Sequence, residues 1–317
     1  MSRYDIVQLF RVQDQFLLLI HHSPDGDAIA SSLALGMALQ SMGKVVDIVC
    51  ADPIPKQFQF LPGARAIKRD FFLGDYNVVV TLDCGDSRRT GFSARLKELL
   101  GAKKKLHINI DHHPKNDLHA LASHNFVDSH APSTSYLVYD LIHGLSVPLD
   151  YKLATCLLTG LYTDTGGFRH PNTTSDSLTF ASLLLSYGAR LKDITRHITH
   201  FTTVPRLRLW GLALSRIQQH HRLDIVSTFI THEDITTTGA SESDIAGIAA
   251  LMTSIPAGLA ILIIQSKNQT VQVRIRTKQK HVNVAQLAAY LGGGGQRRSA
   301  GFSLEGSFLI QSKDNRT

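Results

Sequence analysis

The sequence predicts an α/β protein with three parts. These are an N-terminal parallel sheet with helices on both faces, a helical linker, and a smaller C-terminal α/β domain with a mixed sheet. Three observations predict it. Short apolar runs with the length and pattern of strands recur through the first third: "FLLLI" (16–20), "VVDIVC" (45–50), "VVVTLD" (78–83) and "LHINID" (106–111). Helical patterns separate them, and strands alternating with helices build parallel sheets with covered faces. β character then resumes in the last third, and 317 residues suffice for about two domains.

Taken in order, "GDAIASSLALGMALQSMG" joins the first two strands with helical apolar spacing and stops at Gly43. "ARLKELLGAKKK" is the helix between the third and fourth. Helical patterns follow at 133–144, 150–163 and 175–187, and the stretch 191–220 reads as helices connecting two units. "LDIVSTFI", "GLAILIIQ" and "TVQVRIRTK" are strands, and the short helix "NVAQLAAYL" ends at the glycine run 292–295. The expected boundaries are 1–188 for the first domain, 189–221 for the linker and 222–317 for the second domain.

Hydrophobic content of 43% and charged content of 19% fit a soluble protein with real cores. No apolar run approaches the roughly 18 residues that span a bilayer. The N-terminal "MSRYDIVQLFRVQDQ" lacks the apolar core of a signal peptide. Cys50, Cys84 and Cys156 are scattered and odd in number, which argues against a disulfide framework and for a cytoplasmic location. Cys84 reads as a small buried thiol. The net charge is +7, and no Asp or Glu occurs from Ile245 to Leu304. That stretch carries Lys267, Arg274, Arg276, Lys278, Lys280, Arg297 and Arg298. It is either a solvated basic face or a surface for a polyanion such as nucleic acid.

Three predicted strands end in metal-type side chains. "FLLLI" leads to His21, Asp25 and Asp27, "VVVTL" to Asp83, and "LHINI" to Asp111, His112 and His113. A fourth segment, "LLTGLYTDTGGFRHPNTT", places Asp164 at the end of an apolar helix. Ligands of open parallel sheets bind outside the carboxyl ends of the strands, so these residues should converge. Singly, each motif reads as an ordinary turn, cap or surface histidine. Together they place five carboxylates in one cleft, where they would repel one another and resist ionisation. Divalent cations relieve that, and mixed oxygen and imidazole donors suit Mn²⁺, Fe²⁺, Co²⁺ or Zn²⁺ better than Ca²⁺. A pair of such ions is the arrangement that activates water for displacement at phosphorus.

"HHSPDGDAIAS", "VVVTLDCGDSRR", "NIDHHPKND" and "LYTDTGGFRHPNTT", in that order, resemble the four motifs of the DHH phosphoesterase superfamily. "VQVRIRTK" followed by "LGGGGQRRSAGF" resembles its C-terminal DHH-associated domain. The size and layout are most like the NrnA group of oligoribonucleases, whose members also hydrolyse 3′-phosphoadenosine 5′-phosphate. The resemblance implies two divalent metal ions, with Mn²⁺ expected. His21, Asp25 and Asp83 would hold one ion. Asp27, Asp83, His112 and Asp164 would hold the other, with Asp83 shared. His113 would donate to the substrate phosphate and Asp111 would orient an imidazole, so that His113, Asp111 and Asp83 form the catalytic group.

In the second domain, Arg274 and Arg276 lie two apart on a strand and so share a face, from which both can reach one oligonucleotide backbone. Gly293, Gly294 and Gly295 let main-chain N–H groups approach a phosphate, or simply form a flexible turn. Gln296, Arg297 and Arg298 complete the expected substrate contacts. Ser133, with Thr134 and Ser135, matches a family stretch near the site and equally suits a helix N-cap. Two residues depart from the family pattern: Gln296 stands where a His is usual, and Ala30 where a Gly is usual. The implied substrate is short RNA or a nucleotide, and the implied assembly a homodimer. Alternatives on the same scaffold are hydrolysis of cyclic dinucleotides or pApA, a RecJ-like single-strand exonuclease, an inorganic pyrophosphatase, and a non-catalytic nucleic-acid binder.

Overall fold

A computed structural model describes residues 3–306, apart from 73, 102–104, 115–116, 171, 200–202, 246, 266–269 and 280. Lys267, Lys280 and the end of "ARLKELLGAKKK" lie outside the described residues. By its internal contacts the chain divides into two units, Met1–Phe201 and Thr202–Thr317.

The first unit opens with helix α1 (Arg3–Val12), followed by β1 (Gln15–Ile20), α2 (Gly26–Ser41), β2 (Val45–Val49), β3 (Val78–Leu82) and α3 (Ser93–Gly101). It continues through β4 (Leu106–Asp111), α4 (Asp117–Leu121), β5 (His124–Val127), α5 (Thr134–Gly144), α6 (Tyr151–Asp164), α7 (Ser175–Ser186) and α8 (Leu191–Thr199). The five strands form one parallel sheet in the order β2-β1-β3-β4-β5. Phe16 to Ile20 and Val78 to Leu82 are buried throughout, which is why these central strands read as unbroken apolar runs. Leu18, Ile20, Val80, Leu82 and Ile110 pack with α2, α5 and α6 on one face. Leu17, Leu19 and Val79 pack with Leu96 of α3 and Leu118 of α4 on the other.

Strand β4 keeps its period-2 pattern, but its polar side is not wet. His107 and Asn109 are buried, and both meet the Thr81 hydroxyl at 3.0 Å. Burial pushes the His107 imidazole down to about 4, so it is neutral near pH 7.

The second unit comprises α9 (Val204–Ser215), β6 (Gln218–His220), β7 (Ile225–Ile230), α10 (His232–Thr238), α11 (Ile248–Met252), β8 (Leu259–Gln265), β9 (Thr270–Arg276), α12 (Val284–Tyr290), β10 (Gly294–Gln296) and β11 (Ser299–Glu305). Its sheet has the order β10-β11-β9-β8-β7-β6, with β7 and β8 parallel and the other pairs antiparallel. Leu209 of α9, Ile235 of α10 and Ile248 of α11 pack with Val226 and Leu262 on one face. Val284 and Ala288 of α12 pack with Ile275 and Ala300 on the other. The glycine run that the sequence left between turn and phosphate cradle supplies an edge strand. A Cβ on Gly293 or Gly295 would overlap the backbone of β11, so the hairpin closes because these positions are bare.

Candidate active site

The strand order reverses at β1 and β3: the chain leaves β1 for β2 on one side and returns to β3 on the other. Such a switch opens a crevice at the carboxyl ends of those two strands. His21 follows β1 directly, and Asp83 follows β3 with a left-handed backbone, φ 57°. Asp can adopt that conformation, though it is uncommon outside glycine.

Asp25 caps α2. One of its carboxylate oxygens accepts the N–H groups of Asp27 and Ala28, each at 3.1 Å, and the other lies 3.6 Å from His21 Nε2. Burial works against its charge, but His21 and those two N–H groups hold its carboxyl below the ordinary range. Asp27, two residues on, is fully buried. One oxygen accepts the Ser135 N–H at 3.0 Å and the Ser135 hydroxyl at 2.5 Å, and the other accepts the Thr134 N–H at 2.6 Å. The first turn of α5 therefore clamps this carboxylate. Helix α6 comes equally close, because a Cβ on Gly160 would overlap Ser135 Oγ and Asp27 Oδ1.

Three histidines have their protonation sites set by neighbours. His21 Nδ1 faces the His22 carbonyl at 2.7 Å, and His112 Nδ1 faces the Ala131 carbonyl at 3.3 Å. A carbonyl only accepts, so both rings carry hydrogen on Nδ1 and turn Nε2 toward the carboxyls. His112 Nε2 lies 3.0 Å from Asp164 and 3.6 Å from Asp83. His21 Nε2 is buried with no hydrogen-bond partner among the described residues. His113 Nδ1 meets Asp111 at 2.7 Å and lies 3.5 Å from Asp83. Asp111 also accepts the N–H groups of His113 and Gly85, each at 2.9 Å. The hydrogen bond to Asp111 raises His113 and helps hold the Asp111 carboxyl low against burial.

The remaining carboxyls are strained electrostatically. Burial, then repulsion from Asp27, Asp25, Asp164 and Asp111, pushes Asp83 well above the carboxylate range. Burial, then Asp27, Asp25 and Asp111, pushes Asp164 up to about 9. Burial also raises Asp27. The ligating atoms of His21, Asp25 and Asp83 lie within 4.8 Å of one another, as do those of Asp27, His112 and Asp164, and those of Asp83, His112 and His113. An unpartnered imidazole nitrogen facing carboxyls that cannot ionise together is a donor set suited to divalent cations.

The structure thus brings together His21, Asp25, Asp27, Asp83, Asp111, His112, His113 and Asp164 from four separate segments. Ser133 is buried and caps α5, its hydroxyl oxygen accepting the Tyr136 N–H at 3.2 Å. Its neighbours reach the site: Thr134 and Ser135 donate to Asp83 and Asp27. Their Ser-Thr-Ser run, which the sequence left between a site stretch and a helix cap, serves both. Gly160 carried no sequence signal at all.

Comparison with known proteins fits this geometry. Residues 15–161 match the model of the DHH family, N-terminal domain. Over 301 residues the chain is 32% identical to the bifunctional oligoribonuclease and PAP phosphatase NrnA of Thermus thermophilus, covering 95% of this chain and 87% of that protein. The chain belongs to the DHH family. As a DHH phosphoesterase it is a hydrolase acting on phosphoester bonds. It is also 24% identical to NrnA of Bacillus subtilis, over 95% of this chain and 92% of that one. Among solved structures, an exopolyphosphatase-related protein from Bacteroides fragilis superposes on this DHH protein with a TM-score of 0.85 at 26% identity. The match covers 98% of this chain and 92% of the other.

The second unit of the DHH protein holds a cavity of about 360 Å³, lined by Arg274, Arg276, Gly294, Gly295, Ser299 and Gly301 with Ile245, Gly247 and Ala249. Arg274 pairs with Leu262 and Gly301, and Arg276 with Ala260 and Ser299, which puts both arginines on the sheet face against which α9–α11 pack. Neither arginine is ion-paired to a carboxylate among the described residues. Desolvation, then Arg274, lowers Arg276 from the ordinary arginine value. Gly293, Gln296, Arg297 and Arg298 stand outside the cavity lining.

Proposed function

We propose that the protein hydrolyses very short oligoribonucleotides to mononucleotides, and 3′-phosphoadenosine 5′-phosphate to AMP, with two Mn²⁺ ions. The observation that carries this is the position of Asp83, which belongs to the His21–Asp25 cluster and also lies 3.6 Å from His112 of the Asp27–Asp164 cluster. The names of the NrnA relatives supply the substrate class.

In this reading His21, Asp25 and Asp83 would hold one ion, and Asp27, Asp83, His112 and Asp164 would hold the other. When bound, the two cations supply an activated water and offset charge on the phosphoryl oxygens. The protein's own part is positioning. Thr134 and Ser135 fix the carboxylates of Asp83 and Asp27, and the Nδ1 bonds of His21 and His112 orient their rings, so that Nε2 would be offered to an ion. Asp111 keeps the His113 proton in place, so that Nε2 can donate to a phosphoryl oxygen. The first unit is the catalytic domain, and the second, through Arg274 and Arg276, grips a flanking phosphate. The three cysteines are all free and buried, which supports a reducing, cytoplasmic compartment.

A substrate panel with metal titration tests this. Dinucleotide RNA and 3′-phosphoadenosine 5′-phosphate should turn over with Mn²⁺, and longer RNA, cyclic di-AMP and single-stranded DNA should turn over slowly. Efficient cleavage of cyclic di-AMP or single-stranded DNA alone would assign the site to another DHH chemistry. No metal-dependent turnover of any of these would sink the reading.

A further inference from the structure

The segment after β3 folds into a tight turn, with Arg88–Thr90 as a single 3₁₀ turn. Its anchoring uses main chain. Asp86 accepts the N–H groups of Arg88 and Arg89, and the Arg89 carbonyl accepts both the His22 N–H at 2.6 Å and His22 Nδ1 at 2.7 Å. This stitches the Arg89 backbone to the residue next to His21. The Arg89 side chain takes no part in it.

That side chain lies across Gly85 instead: a Cβ built on Gly85 would sit 2.8 Å from Arg89 Nη1. Gly85 is the residue whose N–H donates to Asp111. The other Asp111 oxygen meets His113 Nδ1 at 2.7 Å, so Arg89 lies on the His113 side of the cluster. It is half-buried, and no carboxylate pairs with it among the described residues, although Asp25, Asp27, Asp83, Asp111 and Asp164 are all gathered nearby. Arg88, by contrast, is 88% exposed and lies beside Asp86. A half-buried guanidinium without a counter-ion is costly, and the cost is recovered when an anion arrives.

We propose that Arg89 binds a non-bridging oxygen of the substrate's phosphoryl group, beside His113. The inference rests on the phosphoesterase reading of the site. It gives Arg89 two separable duties: the backbone builds the loop, and the side chain holds the anion.

The test compares Arg89→Gln, Arg89→Lys and, as a control, Arg88→Gln, using dinucleotide RNA, inorganic phosphate as competitive probe, and Mn²⁺ calorimetry. Arg89→Gln should lower kcat/KM by about 100-fold, the usual cost of one lost donor to a reacting oxyanion. It should weaken phosphate inhibition, and it should bind Mn²⁺ as wild type does, which also reports a folded site. Arg89→Lys should recover part of the loss through its point charge, and Arg88→Gln should behave as wild type. An active wild type with unimpaired Arg89→Gln would overturn this inference alone, as would loss of Mn²⁺ binding in Arg89→Gln, which would make Arg89 a structural part of the metal site. A wild type inactive on every phosphoester would instead overturn the reading beneath it.

Discussion

Thr134 donates its hydroxyl hydrogen to Asp83 at 3.0 Å, bridging the first turn of α5 and the end of β3. Asp83 is buried, and four other carboxyls oppose its charge. Only the protein's own donors and added cations can stabilise that charge, so metal binding and stability are linked. Removal of divalent metal with a chelator should lower the melting temperature of the wild type. Each Mn²⁺ site should restore about 2.7 kcal/mol when the ion is at a hundred times its dissociation constant. Asp83→Asn removes the opposed charge. Its metal-free form should be at least as stable as wild type, while Mn²⁺ no longer raises its melting temperature and turnover is lost. A metal-induced shift of wild-type size in Asp83→Asn would place the cations elsewhere.

Ser135 and Gly160 should matter through Asp27 and not through substrate. Ser135→Ala removes one of three donors to that carboxylate, and loss of such a support weakens metal affinity by about 10- to 100-fold. Gly160→Ala forces a methyl into the Ser135–Asp27 contact, where overlap costs about 1–3 kcal/mol. Calorimetric Mn²⁺ titration of Ser135→Ala and urea unfolding of Gly160→Ala check both. Unchanged affinity in the first would make the hydroxyl a capping group only.

Much of this was legible in sequence because strand ends are. His21, Asp83 and Asp111–His113 each follow an apolar run, and a parallel sheet gathers whatever follows its strands. What escaped was what arrives from elsewhere. Strand β5 is short and half-buried, "HNFV" with no clean alternation, so nothing marked it as the sheet edge. Thr134 and Ser135 were legible only as an alternative between site and cap, since a hydroxyl beside a helix start serves a cap and a carboxylate with the same chemistry. Gly293 and Gly295 were ambiguous because a bare Cα permits a close approach to phosphate or to a neighbouring strand, and only the pairing of β10 with β11 shows which backbone comes near. His107 lies on the polar side of β4, and α3 and α4 cover that side of the sheet.

Arg274 and Arg276 should act on binding more than on chemistry. They line the cavity of the second unit and carry no carboxylate partner among the described residues. Arg274→Ala or Arg276→Ala should raise KM for dinucleotide RNA by about tenfold and leave kcat close to wild type, the pattern of lost uniform binding. Each should also flatten the salt dependence of kcat/KM, because one phosphate contact fewer releases fewer counterions. Steady-state kinetics across a salt series measures both. A fall in kcat with constant KM would move these arginines to the reacting centre.

The second unit carries its own electrostatic lock. Arg216 grips Asp234 with two bonds, at 2.5 and 2.8 Å, and Thr231 donates its N–H and its hydroxyl to the same carboxylate, each at 2.8 Å. Only 9% of the Asp234 side chain is exposed. Burial alone would raise this carboxyl, but Arg216 and Thr231 hold it below the ordinary value of 3.8. A carboxyl depressed in the folded state binds fewer protons there than in the unfolded chain. Its stabilisation is therefore complete above the unfolded value and drains away as pH falls through the folded one. Asp234→Asn should cost about 2 kcal/mol at neutral pH, the worth of a hydrogen bond to a charged group. The gap to wild type should close progressively below about pH 4, where the unfolded carboxyl begins to bind its proton. Urea unfolding of both proteins across this range measures the gap, and one that stays constant down to pH 2 would mean that Asp234 acts through its capping box with Thr231 and not as the partner of Arg216.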